Sequence, residues 1–345
     1  MRKAGILIRN GITYRRNVAF SFLTTMRTGG NAELVIYPST LRELMQCLDE
    51  VTSSNIPFLV LGNGSDVIAV DKGFSGVVIK PAGIFSKVSF DIPEWLDGSF
   101  CGYLDYDVES YFSPTKKPLH CRAQSKEKRF VFAGCNALLA SVYMFFRKNN
   151  LHGGEFLRCI PACTGGAVVN NAGCFSQCIS DILSCVVVTD GRKIFTMDKS
   201  QLELGYRHSV FHRRKELVIL GAVFCAENGF DHTFAEEIFL KKKRIQPLSL
   251  PSAGSVFKRK DDFSPAWAID KLGMKGFRVG DAEVSKVHSG FIVNIGNARA
   301  KDVQELMRIL RRRIYDEFEV TVFPEVIFVG DGANEINAEL NDKLQ

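Results

Sequence analysis

Hydrophobic and polar positions alternate along the chain in short blocks that predict a mixed α and β protein. Residues 32–37 (AELVIY) read as a strand closed by Pro38, after which Ser39-Thr40 is placed to cap a helix. The helix is predicted because Leu41, Leu44, Met45 and Leu48 recur at the three- and four-residue spacing of one helical face. A buried strand is expected at 56–61 and a strand pair within 67–79. Residues 91–127 break the pattern: Pro93, Pro114, Pro118 and a charged stretch mark an insertion or surface excursion. A strand resumes at 130–133, followed by an amphipathic helix at 137–149 and strands at 185–189 and 217–224. Thr233 opens a helix that ends in Lys241, Lys242, Lys243 and Arg244, where cations suit the negative end of the helix dipole. A helix at 265–272, a strand at 290–294 and a long helix at 300–318 complete the pattern. The tail after Gly330 has no apolar periodicity and is expected to fray.

Composition narrows the class. With 46% hydrophobic and 24% charged residues over 345 positions, the chain is neither disordered, collagen-like nor coiled-coil, and its length suits about two domains. No apolar run nears the roughly 20 residues a membrane helix needs. The basic start, MRKAGILIRNGITYRR, has too short an apolar stretch for a secretion signal, so the chain is expected in the cytoplasm. Ten cysteines occur without a CxxC pair. Cys159/Cys163 and Cys174/Cys178 share a four-residue spacing that a helix would place on one face, but the six histidines lack zinc-site spacing. Free thiols are expected, and no metal. A net charge of +6 suits an anionic ligand such as a nucleotide, and by itself leaves nucleic acid open.

Several short motifs carry candidate chemistry. Gly62-Asn63-Gly64-Ser65-Asp66 follows a strand, where glycines let backbone N–H groups approach a phosphate and Ser65 adds a hydroxyl. It lacks the spacing of a dinucleotide fingerprint or a Walker loop, and alone it also reads as a plain turn. Thr28-Gly29-Gly30-Asn31 is equally unspecific. Ile160-Pro161-Ala162-Cys163-Thr164-Gly165-Gly166-Ala167, followed by Asn170-Asn171-Ala172-Gly173, permits close approach of a flat ligand or a tight turn. Tyr206-Arg207 occupies a polar turn between two strands. Ser255 enters an apolar strand after two prolines, and Glu325 is a lone carboxylate in the apolar run Pro324-Glu325-Val326-Ile327-Phe328. A buried carboxylate is costly unless paired or protonated, so Glu325 asks for a reason.

The order of these motifs, over about 22–330, closely resembles the UDP-N-acetylenolpyruvoylglucosamine reductase family of flavoenzymes, type II rather than type I. The resemblance implies an α+β chain: a two-subdomain FAD-binding fold of the p-cresol methylhydroxylase/vanillyl-alcohol oxidase type, plus a C-terminal α+β substrate domain. The corresponding segments are 1–90 (first FAD subdomain), 91–127 (insertion), 128–228 (second FAD subdomain), 229–330 (substrate domain with a returning strand) and 331–345 (polar tail). It further implies non-covalent FAD on Thr28, Gly29, Gly30, Gly62, Asn63, Gly64, Ser65, Asp66, Ile160, Pro161, Thr164, Gly165, Gly166 and Ala167. NADPH is the implied reductant and a UDP-sugar the substrate, met by Tyr206, Arg244 and His288. Arg207 and Glu325 match the pair that stabilises an enolate-like intermediate, and Ser255 matches its proton donor. The implied protein is a monomer without nucleic-acid partners. Departures fall at Cys159-Ile160-Pro161-Ala162 for Gly-Ile-Pro-Gly, at Ile245 and Trp267 for lysines, at Ile327 for an arginine, and at Ser176-Gln177-Cys178. Two alternatives therefore stand: a divergent flavin-binding paralogue, and an FAD oxidase of the same fold.

Overall fold

The computed structural model describes residues 11–91, 128–260 and 262–344. The expected elements form where the periodicity is strongest. Helix Leu41–Ser53 starts at Thr40, whose side chain accepts the Glu43 N–H (3.2 Å), while the Glu43 carboxylate accepts from the Ser39 N–H (2.6 Å) and hydroxyl (2.9 Å). This reciprocal cap satisfies donors that the first turn leaves unpaired, and Leu41, Leu44, Met45, Leu48 and Val51 form the buried stripe.

Compact packing divides the chain, over its described residues, into two discontinuous units. One comprises Met1–Tyr14, Ile36–Gly62 and Val78–Leu240; the other Arg15–Val35, Asn63–Val77 and Lys241–Gln345. Among the described residues the first unit is built on a six-stranded antiparallel sheet. Its main path runs Ile194–Asp198, Leu183–Thr189, Val218–Asn228, Arg129–Gly134 and Val88–Ser89, with Leu151–His152 pairing at the far end of Val218–Asn228. The central strand pairs Gly221 with both Val187 and Gly134, and its residues from Val218 to Phe224 are buried, as a strand flanked on both sides requires.

The second unit has its own core. Strands Ser252–Ser255, Phe291–Asn294, Ala282–Val284 and Arg278–Val279 form an antiparallel sheet in that order. Helix Ala300–Phe318 contributes Val303, Leu306, Met307, Leu310 and Ile314 to the same core. Its first amides, Ala300 and Lys301, donate to the Asp71 carboxylate (2.8 and 3.1 Å), which also suits the positive helix end.

Four expectations are corrected. The strand at 56–61 shortens to Phe58–Val60 and is half-buried to exposed rather than buried. The strands within 67–79 are not partners: Val67–Ala69 pairs in parallel with Ile327–Val329, a distant partner that local pattern cannot reveal. The tail contains helix Ala333–Asn341, whose Ala333, Ile336 and fully buried Leu340 pack on the core at helical spacing while Asn337 bonds the Phe328 backbone. Cys174 and Cys178 lie on the antiparallel pair Gly173–Cys174/Gln177–Cys178, not on a helix face. The described cysteines are mostly buried. Apart from Asp91, the 91–127 segment lies outside the described residues. No described helix is long and apolar enough to cross a membrane.

Candidate functional site

The loop Gly62–Asp66 offers backbone donors. Among the described residues the amides of Gly62, Gly64 and Ser65 have no hydrogen-bond acceptor. Lys80 Nζ donates to the Gly62 carbonyl, and burial holds the Lys80 ammonium below the usual lysine range, with the nearby Cys163 partly opposing that shift. Gly64 adopts φ +62°, and a Cβ there would sit 2.4 Å from the Leu23 carbonyl oxygen, so only glycine fits.

In the second unit, Thr25 holds this loop. Its N–H donates to Gly64 O (3.0 Å), and its hydroxyl lies 2.6 Å from Ser252 O, on the strand that ends at Ser255. The Ile327 N–H donates to Asp66 O (3.2 Å), and the Glu325 N–H to Val256 O (2.8 Å). The loop end, the Ser255 strand and the Glu325 segment are thereby pinned together. Ser255 is half-buried, beside the left-handed Gly254 (φ +83°), and among the described residues its hydroxyl makes no hydrogen bond. Glu325 sits ahead of the strand Ile327–Val329 and is half-buried. That corrects the reading of a carboxylate buried within an apolar strand: Pro324 and Val326 face inward and Glu325 does not.

His288 belongs to the same unit. The Val256 N–H donates to Gly290 O (3.0 Å), and the Gly290 N–H to His288 Nδ1 (3.1 Å). Burial holds its imidazole below the ordinary histidine value, with the Lys275 charge adding to the effect. Arg244 is exposed on the last turn of helix His232–Ile245.

Thr28 is 2% exposed, and its hydroxyl has no partner among the described residues, an orphan that a ligand acceptor would satisfy. Gly29 and Gly30 also have a packing reason, since added Cβ atoms would lie 2.6 Å from Ala69 O and 2.4 Å from Asp71 O.

In the first unit, helix Thr164–Val169 follows Ile160 and Pro161. Thr164, Gly165 and Ala167 are buried, and their amides donate to the carbonyls of Ala137, Cys135 and Cys163. Gly166 is exposed: its amide has no acceptor among the described residues, and a Cβ there would meet nothing within 4 Å. The Gly62 Cα faces the start of this helix, with a Cβ position 3.2 Å from Cys163 Cβ.

Tyr206 and Arg207 form the tip of a turn closed by Gly205 N–H to His208 O (3.1 Å) and His208 N–H to Gly205 O (3.3 Å). The turn lies between short 3₁₀ segments, not between two strands as expected, because Lys199–Gln201 and Val210–His212 coil on either side. Arg207 is left-handed (φ +50°), its Nη2 lies 3.3 Å from Gly173 O, and its guanidinium sits 5.3 Å from the exposed Tyr206 ring.

The positioning residues Thr25, Lys80 and Ser209 left no signal in the sequence. Asn171 lies within Asn170-Asn171-Ala172-Gly173, a stretch whose pattern points to close approach and not to the contacts this side chain makes.

The described residues thus present free amides at the glycine loop, a buried Thr28 hydroxyl without an acceptor, and a Ser255 hydroxyl that makes no hydrogen bond. Comparison with known proteins is specific. Residues 246–329 match the profile described as UDP-N-acetylenolpyruvoylglucosamine reductase, C-terminal domain. The UDP-N-acetylenolpyruvoylglucosamine reductase of Clostridium novyi (strain NT) is 32% identical over 322 residues, covering 92% of each chain. That of Caldicellulosiruptor saccharolyticus is 31% identical over 326 residues, covering 93% of each. The crystal structure of UDP-N-acetylenolpyruvylglucosamine reductase from Thermus caldophilus superposes with a TM-score of 0.68 at 28% identity, covering 92% of this chain and 98% of that one. The chain belongs to the UDP-N-acetylenolpyruvoylglucosamine reductase family. Its mixed α and β fold is that of the solved family structure, and residues 246–329 carry the family's C-terminal domain.

Proposed function

We propose that this chain reduces UDP-N-acetylglucosamine enolpyruvate to UDP-N-acetylmuramate, a step in making peptidoglycan precursors, with FAD as bound cofactor and NADPH as co-substrate. The observation that carries this is family relationship across nine-tenths of the chain, with Arg207, Ser255 and Glu325 all present. Bound FAD would supply the two-electron chemistry that links NADPH oxidation to reduction of the enolpyruvyl double bond.

Unpaired amides at Gly62, Gly64, Ser65 and Gly166, with the Thr28 hydroxyl, support a phosphate-bearing cofactor held without a covalent bond. Thr28-Gly29-Gly30, Asn63, Asp66 and Ile160–Ala167 complete the assigned contacts. Arg207 presents a planar fork suited to a substrate carboxylate, and Glu325 stabilises charge developing on that carboxylate. Ser255, its hydroxyl uncommitted, gives the proton that completes the reduction. Tyr206, Arg244 and His288 bind the UDP-sugar. The working assignments are a cytoplasmic monomer, with 1–90 and 128–228 as FAD subdomains and 229–330 as the substrate domain.

The test is direct. Purified protein should show flavin absorbance, and NADPH oxidation should accelerate when the enolpyruvyl nucleotide is added. A flavin that NADPH reduces but the nucleotide never reoxidises would favour a divergent paralogue. Rapid reoxidation by oxygen in its place would favour an oxidase.

A further inference from the structure

The Arg207 turn is held from one short stretch of chain, 169–173. Ser209, fully buried, donates its hydroxyl to Val169 O (2.6 Å). His212 Nε2 lies 3.2 Å from Asn170 Oδ1, and the Arg207 guanidinium itself reaches Gly173 O. Between these, Asn171 is 6% exposed and left-handed (φ +40°). Its Nδ2 donates to Gly205 O (3.0 Å), the carbonyl that closes the turn, and its Oδ1 accepts the Ser180 N–H (2.9 Å) at the start of helix Ile179–Ile182.

We infer that Asn171 is a positioning residue for the reaction, acting through Arg207. This rests on the proposed reductase reading and deepens it. The residue type follows from the demands at this position. The backbone must be left-handed, which Asn, Asp and Gly tolerate best. One short side chain must donate to the turn and accept from the helix at once, which a primary amide does with two separate atoms, Nδ2 and Oδ1. Arg207 occupies a left-handed tip of a two-residue turn, so its fork direction depends on where the Gly205 carbonyl is held. A displacement of about 1 Å there is of the size that costs ~10²-fold in a reaction needing alignment.

Asn171→Asp separates the two contacts. It keeps the left-handed tolerance and the acceptor for Ser180, and it removes the donor to Gly205. Asn171→Gly keeps the backbone and removes both. Three measurements belong together: anaerobic reoxidation of the reduced enzyme by the enolpyruvyl nucleotide, the same rate in an Arg207→Ala background, and amide exchange at 205–208 in flavin-free protein. Asn171→Asp should slow reoxidation about 10- to 100-fold and speed exchange of the His208 amide. In the Arg207→Ala background it should add almost nothing, because residues acting through one group are non-additive. Should Asn171→Asp misfold, Asn171→Gly is carried through the same cycle. Equal slowing in both backgrounds, or wild-type reoxidation, would overturn the inference while leaving the reductase reading intact. A wild-type enzyme that never reacts with the nucleotide would overturn both.

Discussion

Ser255 lies at the end of a strand that the left-handed Gly254 interrupts between its two pairing contacts with Phe291–Asn294. Serine is a weak acid in water, so its use as a proton donor depends on placement, and the Glu325 backbone bound to the adjacent Val256 supplies a fixed neighbour. Ser255→Ala should leave FAD content and NADPH-driven flavin reduction nearly unchanged while slowing substrate reduction by ~10²–10⁴, the usual loss for a positioned general acid. Stopped-flow absorbance follows the half-reactions independently, and wild-type reoxidation by substrate would end the assignment. His288 makes a prediction about pH. Its folded pKa lies below the unperturbed 6.5. Above about pH 6.5 both folded and unfolded chains hold it neutral; as pH falls from there through the lower folded value, the unfolded chain binds the proton first and stability is lost. His288→Gln should therefore flatten the fall in Tm between pH 7 and the acid side. Parallel curves for the two proteins would rule out this source. At Gly166 the open space decides the outcome. Gly166→Ala meets no chain atom and should raise apoprotein stability by about 0.5–1 kcal/mol through helix propensity, yet weaken FAD binding if this surface meets the cofactor. Unchanged flavin affinity in a titration would remove Gly166 from the site.

Helices Ala300–Phe318 and Ala333–Asn341 differ in how far their sequences announce them. The first carries a continuous apolar stripe, Val303, Leu306, Met307, Leu310 and Ile314, and its extent is read correctly from spacing alone. The second adds polar ties to a short apolar stripe, Ala333, Ile336 and Leu340. The Asn337 side chain pairs with both the N–H and carbonyl of Phe328 (2.9 and 2.8 Å), and the buried Arg311 donates to the carbonyls of Val322, Glu339 and Asp342. Three apolar positions make a weak period, and the polar ties leave none. The same holds for Asn171 and Ser209 at the Arg207 turn: motif order points to Arg207, Ser255 and Glu325 as candidates, while supports such as these are hydrogen bonds to backbone that only the folded chain displays. Asn337→Ala leaves two strand groups without their side-chain partner and should lower unfolding free energy by about 1–3 kcal/mol. By contrast Glu339→Gln, which weakens an exposed pair with Arg308, should change it by less than about 1 kcal/mol. Urea titration of both variants checks the ordering, and equal losses would contradict it.

At the scale of the whole molecule, the family motifs occur in chain order while the packed units do not. The second unit takes Arg15–Val35 and Asn63–Val77 from the N-terminal third and joins them to everything after Leu240. Its Val67–Ala69 strand has Ile327–Val329 as partner, so the unit cannot be complete until the C-terminal segment is made. A cofactor bound to this folded chain by backbone amides and one buried hydroxyl adds to stability only as mass action allows. At a free FAD concentration of 100 times its Kd the gain is about 2.7 kcal/mol, and it grows with the logarithm of concentration. The flavin-stripped protein should therefore melt lower than the loaded one, its Tm should climb steadily as FAD is added back, and acid precipitation of the loaded protein should leave all yellow colour in the supernatant. A covalent linkage would behave otherwise: colour would stay with the pellet, and added FAD would leave the Tm where it was. That pair of results would overturn the non-covalent assignment and point to a side chain on the cofactor surface as the attachment.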